Sequence, residues 1–517
     1  MTGYNYNLGL QLYSVAAAHA GRTAMRYPGG ESISYADLNI LSNKWGWYLL
    51  GKGIVKGDVV AIFNEKSPLA YSLMLGCLKI GAIYTNLDVT SPWARVHKIL
   101  STCEPKRIFI DQPEGELFGE CRKAFPEVEV ISLREKKIEA ELAVLEGSNL
   151  DITAGIHGGD PAYIMFTSGS TGFPKGAVMS HANVLNFIQW GKQTFQVTGQ
   201  DVLTNANPIY FDNSVFDFYT AIYNGATLVP LGHELVKNAR QLVQAINESK
   251  CTIWFSVPSL LVYLLTTRAL SKADFPTVTR ISFGGEGFPK NKLKQLYDLL
   301  GDRVTLYNVY GPTECTCICS SHVIRPEDFE NMNELATLGY IAPNFGYEIL
   351  PVDGKGPDIG ELALTGPCVG LGYYNDEERT NRSFVQNPYK KFHQRMYKTG
   401  DIVERASNGH LFFRGRVDNQ IKHMGYRIEL EEVEAAFSTL PYINESGVIY
   451  ERISAELGQI KAFVSVSDRS KDVQQISADI KNLLPPYMVP RTIIILDVLP
   501  KNANGKIDRK QLSLEKV

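Results

Sequence analysis

The 517-residue chain sets 52 Lys and Arg against 55 Asp and Glu, a formal net charge of −3 at pH 7, with 44% apolar and 21% charged residues. That balance offers no basic surface for nucleic acid or an anionic membrane, and the composition is that of a globular protein with a large core. Length predicts roughly three domains, or one large α/β unit with a smaller partner.

The opening "MTGYNYNLGLQLYS" has no basic region followed by a long apolar run, so no signal peptide is read there. The longest apolar stretch, "LAYSLMLGCLKIGAIY", is interrupted by Lys79 and is too short to span a bilayer. Eight cysteines without paired spacing fit free thiols in a reducing compartment, and a cytoplasmic protein without membrane insertion is expected. "VVAIF" (59–63) reads as a strand before an apolar helical segment near 68–80. "RIFI" (107–110), "EVEVISL" (127–133) and "CTIWFSV" (251–257) read as further buried strands, with an amphipathic helix over 287–300. This rhythm predicts largely parallel α/β layers. From Asp418 the texture changes: "YRIELEEVEAAFSTL" reads as a helix with a charged face, and "IKAFVSVS" and "TIIILDVL" as strands of a small α+β domain. The expected division is 1–417 and 418–517.

After "AYIMF" comes "FTSGSTGFPKG" (166–176), with three glycines, four hydroxyls and Lys175. Glycines admit close backbone approach and hydroxyls add donors, as a polyphosphate requires; a mobile surface loop has the same composition. A Walker A loop does not fit, because a proline precedes the lysine and no Gly-Lys-Ser/Thr follows. "IYFDNSVFDFYTAI" (209–222) places Asp212 among aromatics where a helix begins, and a helix N-cap is the ordinary use of such an aspartate. Asp217 is a second acid, in the helix interior. "CTCIC" (315–319) alternates at strand period, so a buried strand with apolar thiols is preferred to a metal site. His181 is read as capping or packing at a helix start.

Four further motifs follow the loop in order: "NVYGPTE" (308–314), "YKTGD" (397–401), "GRVDNQIKHMGYRIE" (415–429) and "PKNANGKIDR" (500–509). With them the chain resembles the adenylate-forming superfamily, and within it free-standing amino-acid adenylation domains of the nonribosomal peptide synthetase type. Among these the D-alanine–carrier protein ligases look closest. The resemblance runs from "ISYADLN" (33–39) to Lys510. It implies an α/β fold: a large N-terminal domain of α/β layers with a small mobile α+β C-terminal domain. It also implies a two-step reaction, in which a carboxylate attacks the α-phosphate of ATP to give an acyl-adenylate and pyrophosphate, and a thiol then displaces AMP.

Residue by residue, the resemblance gives Thr167, Ser168, Gly169, Ser170, Thr171, Gly172 and Lys175 to the β- and γ-phosphates. Tyr310 goes to the adenine, Gly311 to the ATP site, Thr313 to the vicinity of the α-phosphate, Asp401 to the ribose hydroxyls, Arg416 to the ribose or a phosphate, and Glu314 to Mg²⁺. Lys506 becomes the catalytic lysine, Asp418 the hinge, and Gly425 the lining of a tunnel for a pantetheine arm. Asp212 becomes the partner of the substrate's α-ammonium, which favours an amino acid over a fatty or aryl acid. The remaining pocket positions are Asn213, Phe216, Phe255, Ser282, Gly284, Val309, Cys317 and Ile318, with a possible shift by one that exchanges Gly284 for Phe283. Phe216 and Phe255 are read as bulky walls and Gly284 as leaving room. A small amino acid is expected, glycine before alanine. Few residues follow Lys506, so a separate phosphopantetheinylated carrier protein is the expected thiol donor, feeding cell-envelope aminoacylation or a peptide pathway. An acyl-CoA synthetase and a catalytically silent nucleotide-binding relative are the alternatives.

Overall fold

The computed structural model describes residues 4–169, 172–453, 458–468, 470–502 and 507–515. Two compact units emerge, each assembled from three chain segments. The first comprises 1–89, 103–166 and 176–417; the second comprises 90–102, 167–175 and 418–517. The sequence reading cut the chain once, after 417, and so left 90–102 and the glycine-rich loop with the larger part.

The first unit holds the predicted α/β layers. One sheet has seven strands, in the order Gly372–Tyr373, Lys175–Ser180, Pro161–Thr167, Ile83–Leu87, Val59–Phe63, Arg107–Ile110 and Glu129–Ser132. Its members from Pro161–Thr167 onward pair in parallel, as runs buried on both faces require. A second sheet of nine strands runs Tyr340–Ile341, Ser320–Val323, Thr305–Tyr310, Arg280–Gly284, Ile253–Ser256, Val202–Asn205, Thr227–Pro230, Thr23–Arg26 and Ser32–Ser34. Its central strands are parallel and both ends are closed by antiparallel strands. A third, antiparallel sheet carries Arg395–Arg405 paired with Leu411–Arg416.

Lys79, which interrupts the apolar stretch in sequence, is fully buried in helix Pro68–Ile80. Its ammonium donates to Asn39 Oδ1 (2.8 Å), Ser42 Oγ (2.7 Å) and Asn43 Oδ1 (2.6 Å) and lies over the Tyr13 ring. Burying the group is tolerable only because every proton finds an acceptor.

In the second unit, strands Gln420–His423 and Tyr426–Glu429 form a hairpin, followed by helix Leu430–Ser438. The predicted helix therefore starts four residues late, because Tyr426–Glu429 is taken up by strand pairing. Strands Ile443–Arg452, Gly458–Val466 and Thr492–Ile495 make a three-stranded sheet. No helix among the described residues is long and apolar enough to cross a membrane.

Candidate active site

In the first unit three motif residues meet at one carboxylate. Strand pairing sets Asp401 opposite Arg416, and the Arg416 guanidinium donates to Asp401 Oδ1 at 2.5 Å. The Tyr310 hydroxyl, at the end of its strand, donates to Asp401 Oδ2 at 2.5 Å. Tyr310 and Asp401 are buried and Arg416 is partly so. Burial, then the neighbouring Asp401 charge, pushes the Tyr310 phenol well up, so it stays protonated and remains a donor.

The second cluster joins Asp212 to the "YGPTE" segment. Asp212 stands at the head of helix Asn213–Ile222 with helical dihedrals and makes no capping bond. Its Oδ2 instead accepts from Thr313 Oγ1 at 2.6 Å. The N-cap reading of Asp212 is thereby overturned, and Thr313, expected beside a phosphate, is engaged with this acid. Asp217 has a different environment. It is fully buried and accepts from Asn205 (3.0 Å) and Asn207 (2.9 Å), while Asn207 also donates to the Phe255 carbonyl. Burial raises the Asp217 carboxyl and lowers Lys66, the cation of the same polar interior.

Phe255, Ser282 and Tyr307 are register partners on three adjacent parallel strands. The Phe216 ring meets Phe255 edge-on at 5.2 Å and Phe195 at 4.9 Å. The Ser282 hydroxyl is buried with no hydrogen-bond partner among the described residues. Phe283 points the other way, against Phe288 in a separate core. Gly284 does not open the pocket as expected. A Cβ there would sit 2.4 Å from the carbonyl oxygen of Val309, its neighbour across the sheet. The glycine is required by backbone approach, and its absent side chain leaves no space for a larger substrate.

Asn213 lies beside Gly285, where an added Cβ would come within 3.5 Å of its amide nitrogen. Cys317 and Ile318 join the core that contains Phe216, Phe255 and Val309. They are not on a strand. Thr313–Cys315 forms a 3₁₀ turn, and Thr316 and Cys317 are left-handed (φ 60° and 77°), so the strand reading of "CTCIC" fails. This turn brings the Cys317 carbonyl against Gly311, where a Cβ would fall at 2.2 Å. Glu314, in the same turn, is fully buried and accepts from the Tyr373 hydroxyl at 2.8 Å. No group of three or more His, Cys, Asp or Glu among the described residues is arranged to hold a metal ion.

The second unit contains the glycine-rich loop. Ser168 donates to the Arg427 carbonyl (2.8 Å) and accepts from the Glu429 N–H (3.2 Å). The Gly169 N–H donates to Glu432 Oε2 at 3.2 Å, and Lys175 lies 3.8 Å from Glu429. Arg95 pairs with the other oxygen of Glu432. One turn further along helix Trp93–Cys103, Lys98 donates to the Gly172 carbonyl at 2.8 Å. Gly172 has φ 76°, and a Cβ there would meet Ala435 at 2.5 Å. The Thr167 hydroxyl is buried without a partner among the described residues. Asp418 is exposed and its carboxylate accepts from the Gln420 N–H; Gly425 and Met424 form the left-handed tip of the hairpin. Ser170, Thr171 and Lys506 lie outside the described residues.

Sequence reasoning missed Arg95, Lys98, Tyr373, Glu429 and Glu432. The two glutamates read as part of an acidic helix start, and nothing in "IELEEVE" distinguishes the buried acids from the exposed ones.

A model described as AMP-binding enzyme matches residues 12–374, well over half of the chain. The chain belongs to the AMP-binding enzyme family. A second model, the AMP-binding enzyme C-terminal domain, matches residues 432–506. This AMP-binding enzyme is 31% identical to an L-proline--[L-prolyl-carrier protein] ligase of Streptomyces coelicolor, over 97% of this chain and 95% of that protein. It is 33% identical to a D-alanine--D-alanyl carrier protein ligase of Listeria monocytogenes, over 94% of each. Its fold matches an o-succinylbenzoate CoA synthetase of Bacillus subtilis with a TM-score of 0.85 at 22% identity, covering 98% of both chains. An artificially fused adenylation–PCP di-domain NRPS from Klebsiella oxytoca matches with a TM-score of 0.80 at 20% identity, covering 95% of this chain and 94% of that one.

Proposed function

We propose that this AMP-binding enzyme activates a small amino acid with ATP and transfers it to the phosphopantetheine thiol of a separate carrier protein. The observation that carries the reading is the Asp212 carboxylate, which leaves its own helix uncapped and is held by Thr313. An oriented, partly buried acid of this kind is what a desolvated α-ammonium requires. The full-length likeness to carrier-protein ligases for L-proline and D-alanine supports the same class.

In the first step a carboxylate oxygen of the amino acid attacks the α-phosphorus of ATP, the bond to the β-phosphate breaks, and pyrophosphate leaves. Asp212 fixes the ammonium end, Tyr310 packs on the adenine, and Asp401, braced by Tyr310 and Arg416, accepts the ribose hydroxyls. Thr167, Ser168, Gly169, Ser170, Thr171, Gly172 and Lys175 surround the leaving phosphates. Lys506 stabilises the charge that develops between carboxylate and phosphate. Glu314, a hard oxygen donor fixed by Tyr373, would hold a magnesium ion brought by the triphosphate. Bound there, magnesium would screen the phosphate charge. In the second step the thiol sulfur attacks the acyl carbon, AMP departs with the bonding pair, and the thiol proton goes to solvent. Asp418 serves as the hinge and Gly425 as the entry for the pantetheine arm.

Glycine is the first choice of substrate and alanine the second. Phe216 is enclosed by Phe255 and Phe195, and the Gly284 position is closed by Val309, so the walls leave little room for a side chain. Amino-acid-dependent ATP–pyrophosphate exchange tests the proposal, run with glycine, both alanine enantiomers, proline, and fatty and aryl acids. Exchange with small amino acids supports it; exchange confined to fatty or aryl acids overturns it.

A further inference from the structure

In the second unit two of the groups assigned to a triphosphate, the Gly169 N–H and the Lys175 ammonium, already face carboxylates of the same unit. The Gly169 N–H is given to Glu432, the Ser168 hydroxyl bridges the Arg427 carbonyl and the Glu429 N–H, and the Lys175 ammonium faces Glu429. Both glutamates are buried. Glu432 is held in place from its far side by Arg95, and Glu429 accepts from Gln420 at 2.6 Å. A backbone N–H has one hydrogen, so a phosphate oxygen drawn to Gly169 competes with Glu432 for it. A buried carboxylate beside the loop also repels a polyanion.

We infer that Glu432 is a positioning residue that competes with phosphate for the glycine-rich loop: ATP or pyrophosphate must displace its carboxylate from Gly169, and the carboxylate returns when pyrophosphate leaves. The competitor is part of the protein, so its return is unimolecular and needs no second ligand. Glu432 thereby weakens the hold on pyrophosphate. Arg95 keeps the carboxylate aimed at the loop, and Lys98 fixes the loop's far end through the Gly172 carbonyl. This inference rests on reading 166–176 as the phosphate-binding loop of the proposed ligase.

The test is titration calorimetry of the full chain with magnesium pyrophosphate, together with the KM for ATP in pyrophosphate exchange. Three variants are compared with wild type. Glu432→Gln removes the competing charge. Arg95→Met/Glu432→Leu removes the whole pair and strands no cation. Glu431→Gln removes a neighbouring charge that contacts Asn419 and Arg509 but not the loop. The expected result is about tenfold tighter pyrophosphate binding and a lower KM for ATP in the first two, the scale of one charge-assisted hydrogen bond, with no change in the third. A purely structural role would weaken binding in both Glu432 variants and overturns the inference. So does tightening in Glu432→Gln alone, which an unpaired Arg95 explains, or equal tightening in Glu431→Gln, which net charge explains. If Glu432→Gln does not fold, the double variant decides. Wild-type exchange with a small amino acid establishes the ligase separately, so a failed competition leaves that reading intact.

Discussion

The Thr313 hydroxyl lies 2.6 Å from the Asp212 carboxylate and ties together two motifs separated by 101 residues. A hydroxyl that donates to an acid fixes its rotamer without transferring a proton to it.

Thr313→Val, nearly isosteric, should therefore raise the KM for the amino acid about tenfold, with a smaller effect on the KM for ATP, since one hydrogen bond to a charged group is lost. Asp212→Asn should cost roughly 100-fold or more in kcat/KM for amino acids, because the ammonium loses its counter-charge. Initial rates of pyrophosphate exchange at varied amino acid and ATP separate the two effects. If Thr313→Val moves only the ATP constant, Thr313 belongs with the phosphates instead.

At Asp401 the prediction falls on the nucleotide. Tyr310→Phe removes a donor that holds the carboxylate and leaves Arg416 in place. A rise of about tenfold in the KM for ATP is expected, with amino-acid dependence unchanged. An unaltered nucleotide constant would remove Asp401 from the ribose site.

Gly284→Ala is a stability change, not a specificity change. The new methyl meets a main-chain carbonyl at 2.4 Å, and backbone cannot move aside as a flexible side chain can. Overpacking of this kind costs about 1–3 kcal/mol. Thermal denaturation should show a lowered midpoint, while the ranking of amino acids in exchange is retained.

His181 gives a pH signature of folding. Its Nδ1 accepts the Leu8 N–H, and burial lowers its pKa from 6.5 to about 4. Between those values the unfolded chain binds a proton that the folded one refuses, so stability is complete above pH 6.5 and falls as pH drops toward 4. The loss amounts to about 3 kcal/mol at its limit. Urea midpoints at pH 7 and pH 5 measure it, and His181→Gln should flatten that portion of the profile.

Lys506→Ala should slow adenylation about 100-fold or more, the scale of removing a charge-stabilising donor. Single-turnover formation of the adenylate is the direct measure.

The motifs themselves were legible because each is a short local run whose chemistry is carried by residue type. The layers were legible from the alternation of apolar runs with amphipathic ones. What the sequence hid is partner choice. Tyr310 and Asp401 are 91 residues apart, and only sheet register reveals that both Tyr310 and Arg416 converge on one carboxylate. Gly284 was misread because a missing side chain does not announce which way it would have pointed. "CTCIC" was misread because alternation looks the same in a strand and in a turn with two left-handed residues. The acids after Ile428 look alike in sequence, yet two of them reach the glycine-rich loop.

The nine-stranded sheet ends in strands of only two and three residues, Tyr340–Ile341 and Ser32–Ser34, both antiparallel to their neighbours. Its long parallel interior is the kind of surface that would recruit stray β-segments if its last hydrogen-bonding rows were left open. Stubs this brief give an incoming chain too little backbone to zip onto. The same trimming thus shields the ends of the sheet from pairing with stray chains.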